Sequence, residues 1–172
     1  LGAVIGHEMT HGFDSGGRLF DAAGNMRDWW TPADTAAFEA EAQKLIDQAN
    51  AFEVVPGLMA NGPLNVKENM ADVGGINFAH QALLAYLKDH PEEDRVIDGL
   101  TPSQRCFIAW AQLWSMKATD QYLRNLVNGD NHPPNFYRAT AALQHVDAFY
   151  EAFDITEGDP MWLPPEKRVH AW

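Results

Sequence analysis

His7-Glu8-Met9-Thr10-His11 is the stretch of this chain whose residue types and spacing most plainly suit chemistry. On a helix, positions i and i+4 stack about 6 Å apart along the axis. Both imidazoles can then reach one tetrahedral Zn²⁺ with bonds of about 2.0–2.1 Å. Glu8, on the adjacent side, is placed to hold a metal-bound water and take its proton. Chance would produce roughly 0.016 such patterns in a chain of this length and His and Glu content, so accident is disfavoured. Two ligands do not complete a site, however, and a third must come from elsewhere.

Glu68-Asn69-Met70-Ala71-Asp72 supplies a candidate, with Glu68 and Asp72 again at i and i+4 on one helix face. One carboxylate would serve as third ligand and the other would grip the free ring N–H of a ligating histidine. A second reading competes. Asn65 and Glu68 have the spacing of a capping box, in which Glu68 merely closes a helix start. Taken alone the two readings are evenly matched; the two-histidine helix upstream decides for the ligand.

The elements that must carry these residues read as helices. Leu1 to Gly12 is expected as a short helix ended at Gly12 by a left-handed cap. Phe13 to Trp30 lacks helical periodicity and reads as a loop. Thr31-Pro32 marks the start of a helix running to about Asn50, with a short strand near Phe52 to Val55. A third helix is expected from Asn65 to about His90. A fourth, from Thr101 to about Leu126, is apolar nearly all round and should be buried centrally. Phe136 to Phe153 reads as a fifth, followed by a Pro-rich tail. The fold class is mainly α, a single unit over residues 1–172.

Composition narrows the partners. Among 172 residues, 12 Lys and Arg face 24 Asp and Glu, a formal charge of −12 that repels phosphate backbones and argues against nucleic acid. No apolar run approaches the 18 or so residues that a membrane span needs. The lone Cys106 cannot form an internal disulfide and reads as a small core hydrophobe.

With both motifs in view, His-Glu-Met-Thr-His-Gly-Phe-Asp and Glu-Asn-Met-Ala-Asp-Val-Gly-Gly, the chain resembles the neprilysin family of zinc endopeptidases. The 57 positions separating His11 from Glu68 fit that family, whereas thermolysin-like and aminopeptidase-like zincins place the glutamate far closer. Asp28-Trp29-Trp30-Thr31, Pro134-Asn135-Phe136 and the terminal Trp172 extend the likeness along the whole chain. The resemblance implies a zincin-type helical catalytic subdomain holding one Zn²⁺ per chain through His7, His11 and Glu68, with Glu8 as general base. It implies Asp72, and Asp14 as a second, holding the zinc-bound histidines. It further implies His132 as oxyanion donor, Asp130 as its partner, and Arg138 as binder of a substrate backbone carbonyl. By its own chemistry His132 on a Pro-flanked loop reads as a solvated surface histidine, and Arg138 fits a helix-start surface charge equally well.

The same likeness sets further expectations. Peptides are the substrates, and an upstream part of a longer protein would supply the substrate-binding strand and a covering domain. Residues 1–172 are then the C-terminal portion of the catalytic domain. A zinc-binding but catalytically incomplete fragment is the alternative, and a helical interaction module with accidental motifs a third. Cysteines expected near Phe153 and Trp172 in animal members are absent, which points to a bacterial-type member, expected in the cytoplasm. Asn50-Ala51-Phe52 resembles the family's substrate-binding motif but lies on the wrong side of the zinc helix, a coincidence. His80, His90, His145 and His170 have no partner spacing and read as structural or solvated.

Overall fold

The computed structural model describes residues 1–170, so the expectation for Trp172 lies outside the described residues. The described chain runs α1 (Gly2–Thr10), α2 (Pro32–Asn50), a small hairpin of β1 (Glu53–Val55) and β2 (Leu58–Met59), α3 (Gly62–Asp89), α4 (Pro102–Leu113), α5 (Asp120–Gly129), α6 (Asn135–Ala141) and α7 (Asp147–Phe153). The mainly α class holds. The two strands pair antiparallel, Glu53 with Met59 and Val55 with Leu58, around a turn at Gly57.

α3 is the spine. Its Met70, Val73 and Ile76 are buried with Phe38 and Leu45 of α2, Phe107 and Trp110 of α4, and Val146. Burying each such large apolar side chain stabilises the fold by roughly 1.5–3 kcal/mol. A second cluster joins Ala49, Val54, Leu123, Val127 and Tyr137, seating α5 against the hairpin. α1 lies directly along α3 because glycines meet at the crossing. A Cβ on Gly75 would stand 2.5 Å from the Ala3 carbonyl oxygen and 2.8 Å from the His7 nitrogen. That backbone-to-backbone approach sets the depth at which the motif histidines face α3.

α2 starts and ends where its signals say, with Thr31 Oγ1 accepting from Asp34 N–H and Pro32 in the first turn. Other boundaries differ. α1 gives way at Thr10 to a 3₁₀ turn, His11–Phe13, and Gly12 takes no left-handed conformation. α3 starts four residues early. Asn61, not Asn65, caps it by accepting from Leu64 N–H at 3.1 Å, and Pro63 is tolerated in the first turn. Glu68 is thereby well inside the helix, which removes the capping-box reading.

The expected fourth helix is two. α4, opened by a capping box of Thr101 and Gln104, stops at Trp114, and Thr119 caps α5 afresh. Threonine followed by an aspartate in the first turn is itself a helix start, and it wins over continuation. Leu113 and Met116 are therefore half exposed rather than central. The fifth is also interrupted: after α6 and a 3₁₀ turn the backbone extends at Val146 before α7. There His145 accepts a hydrogen bond from Val169 N–H, so the tail docks at the break.

Candidate metal centre and active site

His7 projects from α1 toward α3 and is buried; His11, one turn on, is partly open. Their Nε2 atoms lie 3.1 Å apart. Glu68, deeply buried on α3, closes the third side, with Oε2 3.4 Å from His7 Nε2 and Oε1 3.5 Å from His11 Nε2. Among the described residues these three are the one group of His, Cys, Asp or Glu whose ligand atoms converge, all within 4.8 Å of one another.

The outer nitrogens are held. His7 Nδ1 is 2.8 Å from Asp72 Oδ1, and His11 Nδ1 is 2.7 Å from Asp14 Oδ2. Carboxylates there keep the Nδ1 proton and leave the Nε2 lone pairs facing inward, the tautomer a metal needs. Asp14 is itself fixed, its other oxygen accepting from the N–H groups of Gly16 and Gly17.

The electrostatics call for a cation. Burial works against a charged imidazole at His7, but the adjoining carboxylates of Asp72 and Glu68 outweigh it and lift the group to about 9. Burial likewise opposes the Glu68 carboxylate, yet the facing His7, His132, His11 and Arg138 hold it below the usual range. Glu68 Oε2 is buried with no hydrogen bond of its own. His7 Nε2, His132 Nε2 and Arg138 Nη2 stand off from it at 3.4, 3.4 and 3.5 Å without bonding it, and a buried anionic oxygen so placed is costly unless a cation or donor meets it more closely. Two imidazole nitrogens and a carboxylate suit Zn²⁺ and leave its fourth position open.

Glu8 is exposed and borders a cleft of about 150 Å³ with Val4, His7, Asp72, Trp110, Trp114, His132 and Arg138. His132 is exposed, its Nε2 3.4 Å from Glu68 Oε2 and its Nδ1 2.8 Å from Asp130 Oδ1. The His132 backbone N–H, 2.9 Å from the same oxygen, and then its ring hold Asp130 below the ordinary carboxylate range. Arg138 is not a surface charge. It is buried, with Nε and Nη2 forking onto Asp72 at 2.8 and 2.7 Å, and its guanidinium stacks 3.9 Å over the Trp114 ring. Asp72 thus serves His7 and Arg138 at once.

Sequence reasoning passes over Trp110, Trp114 and Asn131, and gives Asn65 only a helix cap's role. Trp110 Nε1 donates to the Arg138 carbonyl, and Asn131 Nδ2 donates to Glu68 Oε1 at 3.3 Å. Asn131 lies between Asp130 and His132, which is the available signal; the tryptophans belong to an apolar helix and carry none. Asn50 accepts from the N–H of Gly62, a structural role. His80 is buried against Phe107 and Ser103, and His145 against Gln48 and Val169.

A two-histidine helix crossed by a glutamate helix, with carboxylates behind both rings, is the framework of a zincin-type metal centre. Residues 1–169 match Peptidase family M13, and the chain belongs to that family. It is 37% identical over 172 residues to a neutral endopeptidase of Lactococcus lactis, covering all of this chain and 25% of that protein. Human neprilysin is 35% identical over 176 residues, with 23% of its length covered. The crystal structure of the Mycobacterium tuberculosis zinc metalloprotease ZMP1 with an inhibitor superposes at a TM-score of 0.90 and 41% identity, covering 98% of this chain and 26% of that one. The chain spans about a quarter of the length of the curated relatives it matches. Among the described residues no helix is long and apolar enough to cross a membrane.

Proposed function

We propose that this chain is the zinc-binding portion of an M13 endopeptidase that cleaves oligopeptides, with His7, His11 and Glu68 as ligands and Glu8 as general base. The observation that carries the reading is the convergence of two Nε2 atoms and an orphaned Glu68 oxygen, each ring backed by its own carboxylate. Bound Zn²⁺ would supply Lewis acidity and bring a water's pKa toward about 7. Glu8, at the cleft edge, takes the proton from the attacking water and returns it to the departing amine. His132, steadied by Asp130, donates to the oxyanion that develops on the scissile carbonyl. Arg138, anchored by Asp72, forms the cleft wall against which a substrate carbonyl is read.

A second reading is favoured by the span of the relatives: the chain binds zinc without turning over peptides, because the rest of the cleft lies elsewhere in a longer protein. Zinc content by mass spectrometry, beside cleavage of a quenched peptide, separates the two. One zinc per chain that is lost in Glu68→Ala, together with cleavage, supports the endopeptidase. Zinc without cleavage supports the second reading, and a zinc-free parent defeats both.

A further inference from the structure

We propose that Asn65 is a positioning residue that locks the His132 segment to the helix bearing Glu68, so that the oxyanion donor and the metal ligand share one rigid frame. The inference rests on the reading of His132 given above. Asn65 is 1% exposed on α3, and its side-chain nitrogen donates to the carbonyl oxygens of Asn131 at 3.0 Å and Asp130 at 3.3 Å. Both partners are acceptors, so only the NH₂ end of the amide can face them, and its two N–H groups match two carbonyls. A buried amide with nothing to bond would cost its helix free energy. Here its partners lie outside the helix, in the segment between Gly129, where α5 ends, and Asn135, where α6 begins.

That segment holds His132 and is otherwise out of helix. Asn65 stands three residues before Glu68, hence on the same side of α3. The link closes into a ring of contacts: Asn65 to the Asp130 and Asn131 carbonyls, Asn131 Nδ2 back to Glu68 Oε1, and Asp130 Oδ1 to the backbone N–H and ring Nδ1 of His132. His132 Nε2 thereby stands 3.4 Å from Glu68 Oε2 although its side chain is half exposed. A solvated histidine on an untethered loop would sample many positions; two hydrogen bonds to its neighbours' backbone remove most of that freedom.

The test uses the zinc-loaded chain with Asn65→Leu, which keeps the forked shape and favours helix more strongly but removes both donors, and Asn65→Ala in case the larger leucine is not accommodated. Amide hydrogen exchange over residues 129–132 is expected to accelerate about tenfold while α2 and the rest of α3 keep their protection. Unchanged exchange in that segment, with either variant folded, overturns the proposal. Where peptide cleavage is measurable, kcat is expected to fall about tenfold with KM within about twofold. In a His132→Ala background the same substitution should cost less than about twofold. Independent, multiplying losses would mean Asn65 does not act through His132. A parent that cleaves nothing defeats the endopeptidase reading, while the exchange measurement still decides the fate of Asn65.

Discussion

Gly75 lies against the backbone of His7: a Cβ at residue 75 would meet the Ala3 carbonyl oxygen at 2.5 Å and the His7 nitrogen at 2.8 Å. Neither neighbour can rotate away, because both are main chain. Gly75→Ala should therefore push α1 off α3, lowering stability by about 1–3 kcal/mol and weakening zinc uptake together. Gly12→Ala is the control. It meets nothing within 4 Å, and Gly12 has no left-handed backbone, so that substitution should leave both properties intact. Thermal melts and zinc stoichiometry on the pair make the check. Equal behaviour would show that the crossing does not set the site.

Glu8→Gln separates binding from chemistry. The side chain is exposed at the cleft and is not among the converging ligands, so zinc content should stay at the parent's level. The amide cannot accept the water proton, and kcat should drop by about 10²–10⁴-fold. Retained turnover in this variant would remove Glu8 from the base's role.

How far the sequence could be read depended on whether a signal was local. His7, His11 and Thr31-Pro32 act through neighbours a turn away, and periodicity suffices for them. The start of α3 escapes a local reading because Asn61-Gly62-Pro63 looks like loop punctuation, whereas asparagine before a first-turn proline is also a helix start. The break after Leu113 was hidden by the apolar run through Trp114, since burial patterning is blind to a fresh cap at Thr119. Arg138 and Asp72 are 66 positions apart, and nothing local announces that the arginine is buried. The Asn65 contact to the 130–131 carbonyls is a side-chain-to-backbone bond at long range, which no residue pattern encodes.

His145 gives the acid limb of stability. It is 2% exposed, its Nδ1 accepts from Val169 N–H and its Nε2 donates to Gln48 Oε1, so both nitrogens are used by the neutral ring. Burial, followed by the facing Lys44 and His170, pushes its pKa down from 6.5 to about 3, with Glu41 pulling weakly the other way and Arg168 adding to the drop. A depressed folded-state value means that below pH 6.5 the unfolded chain binds a proton the folded one refuses. The contribution of His145 should thus be fully present above about pH 6.5 and fall between there and pH 3, by on the order of 4–5 kcal/mol at the limit. Urea melts from pH 7 to pH 4 should show the tail, from Leu163 onward, loosening with the rest. His145→Gln, whose amide can still accept and donate, should flatten the slope. An unchanged slope would place the acid sensitivity elsewhere.

Asp72 performs two tasks that can be pulled apart. One oxygen serves both His7 Nδ1, at 2.8 Å, and Arg138 Nη2, at 2.7 Å, and the other takes Arg138 Nε at 2.8 Å. Asp72→Asn leaves a buried guanidinium short of its counter-charge, with the Glu68 oxygen 3.5 Å away as the remaining anion. The expected loss is about 3–5 kcal/mol of stability. The same change takes the carboxylate from behind His7 and should weaken zinc binding by about 10–100-fold. Adding Arg138→Leu removes the stranded charge, so the double variant should regain most of the stability while zinc affinity stays low. Melting curves and competitive zinc titration on the single and double variants read the two effects separately. Zinc affinity recovering along with stability would mean that Asp72 matters to the metal only through the packing of Arg138 against Trp114, and not through its bond to the histidine.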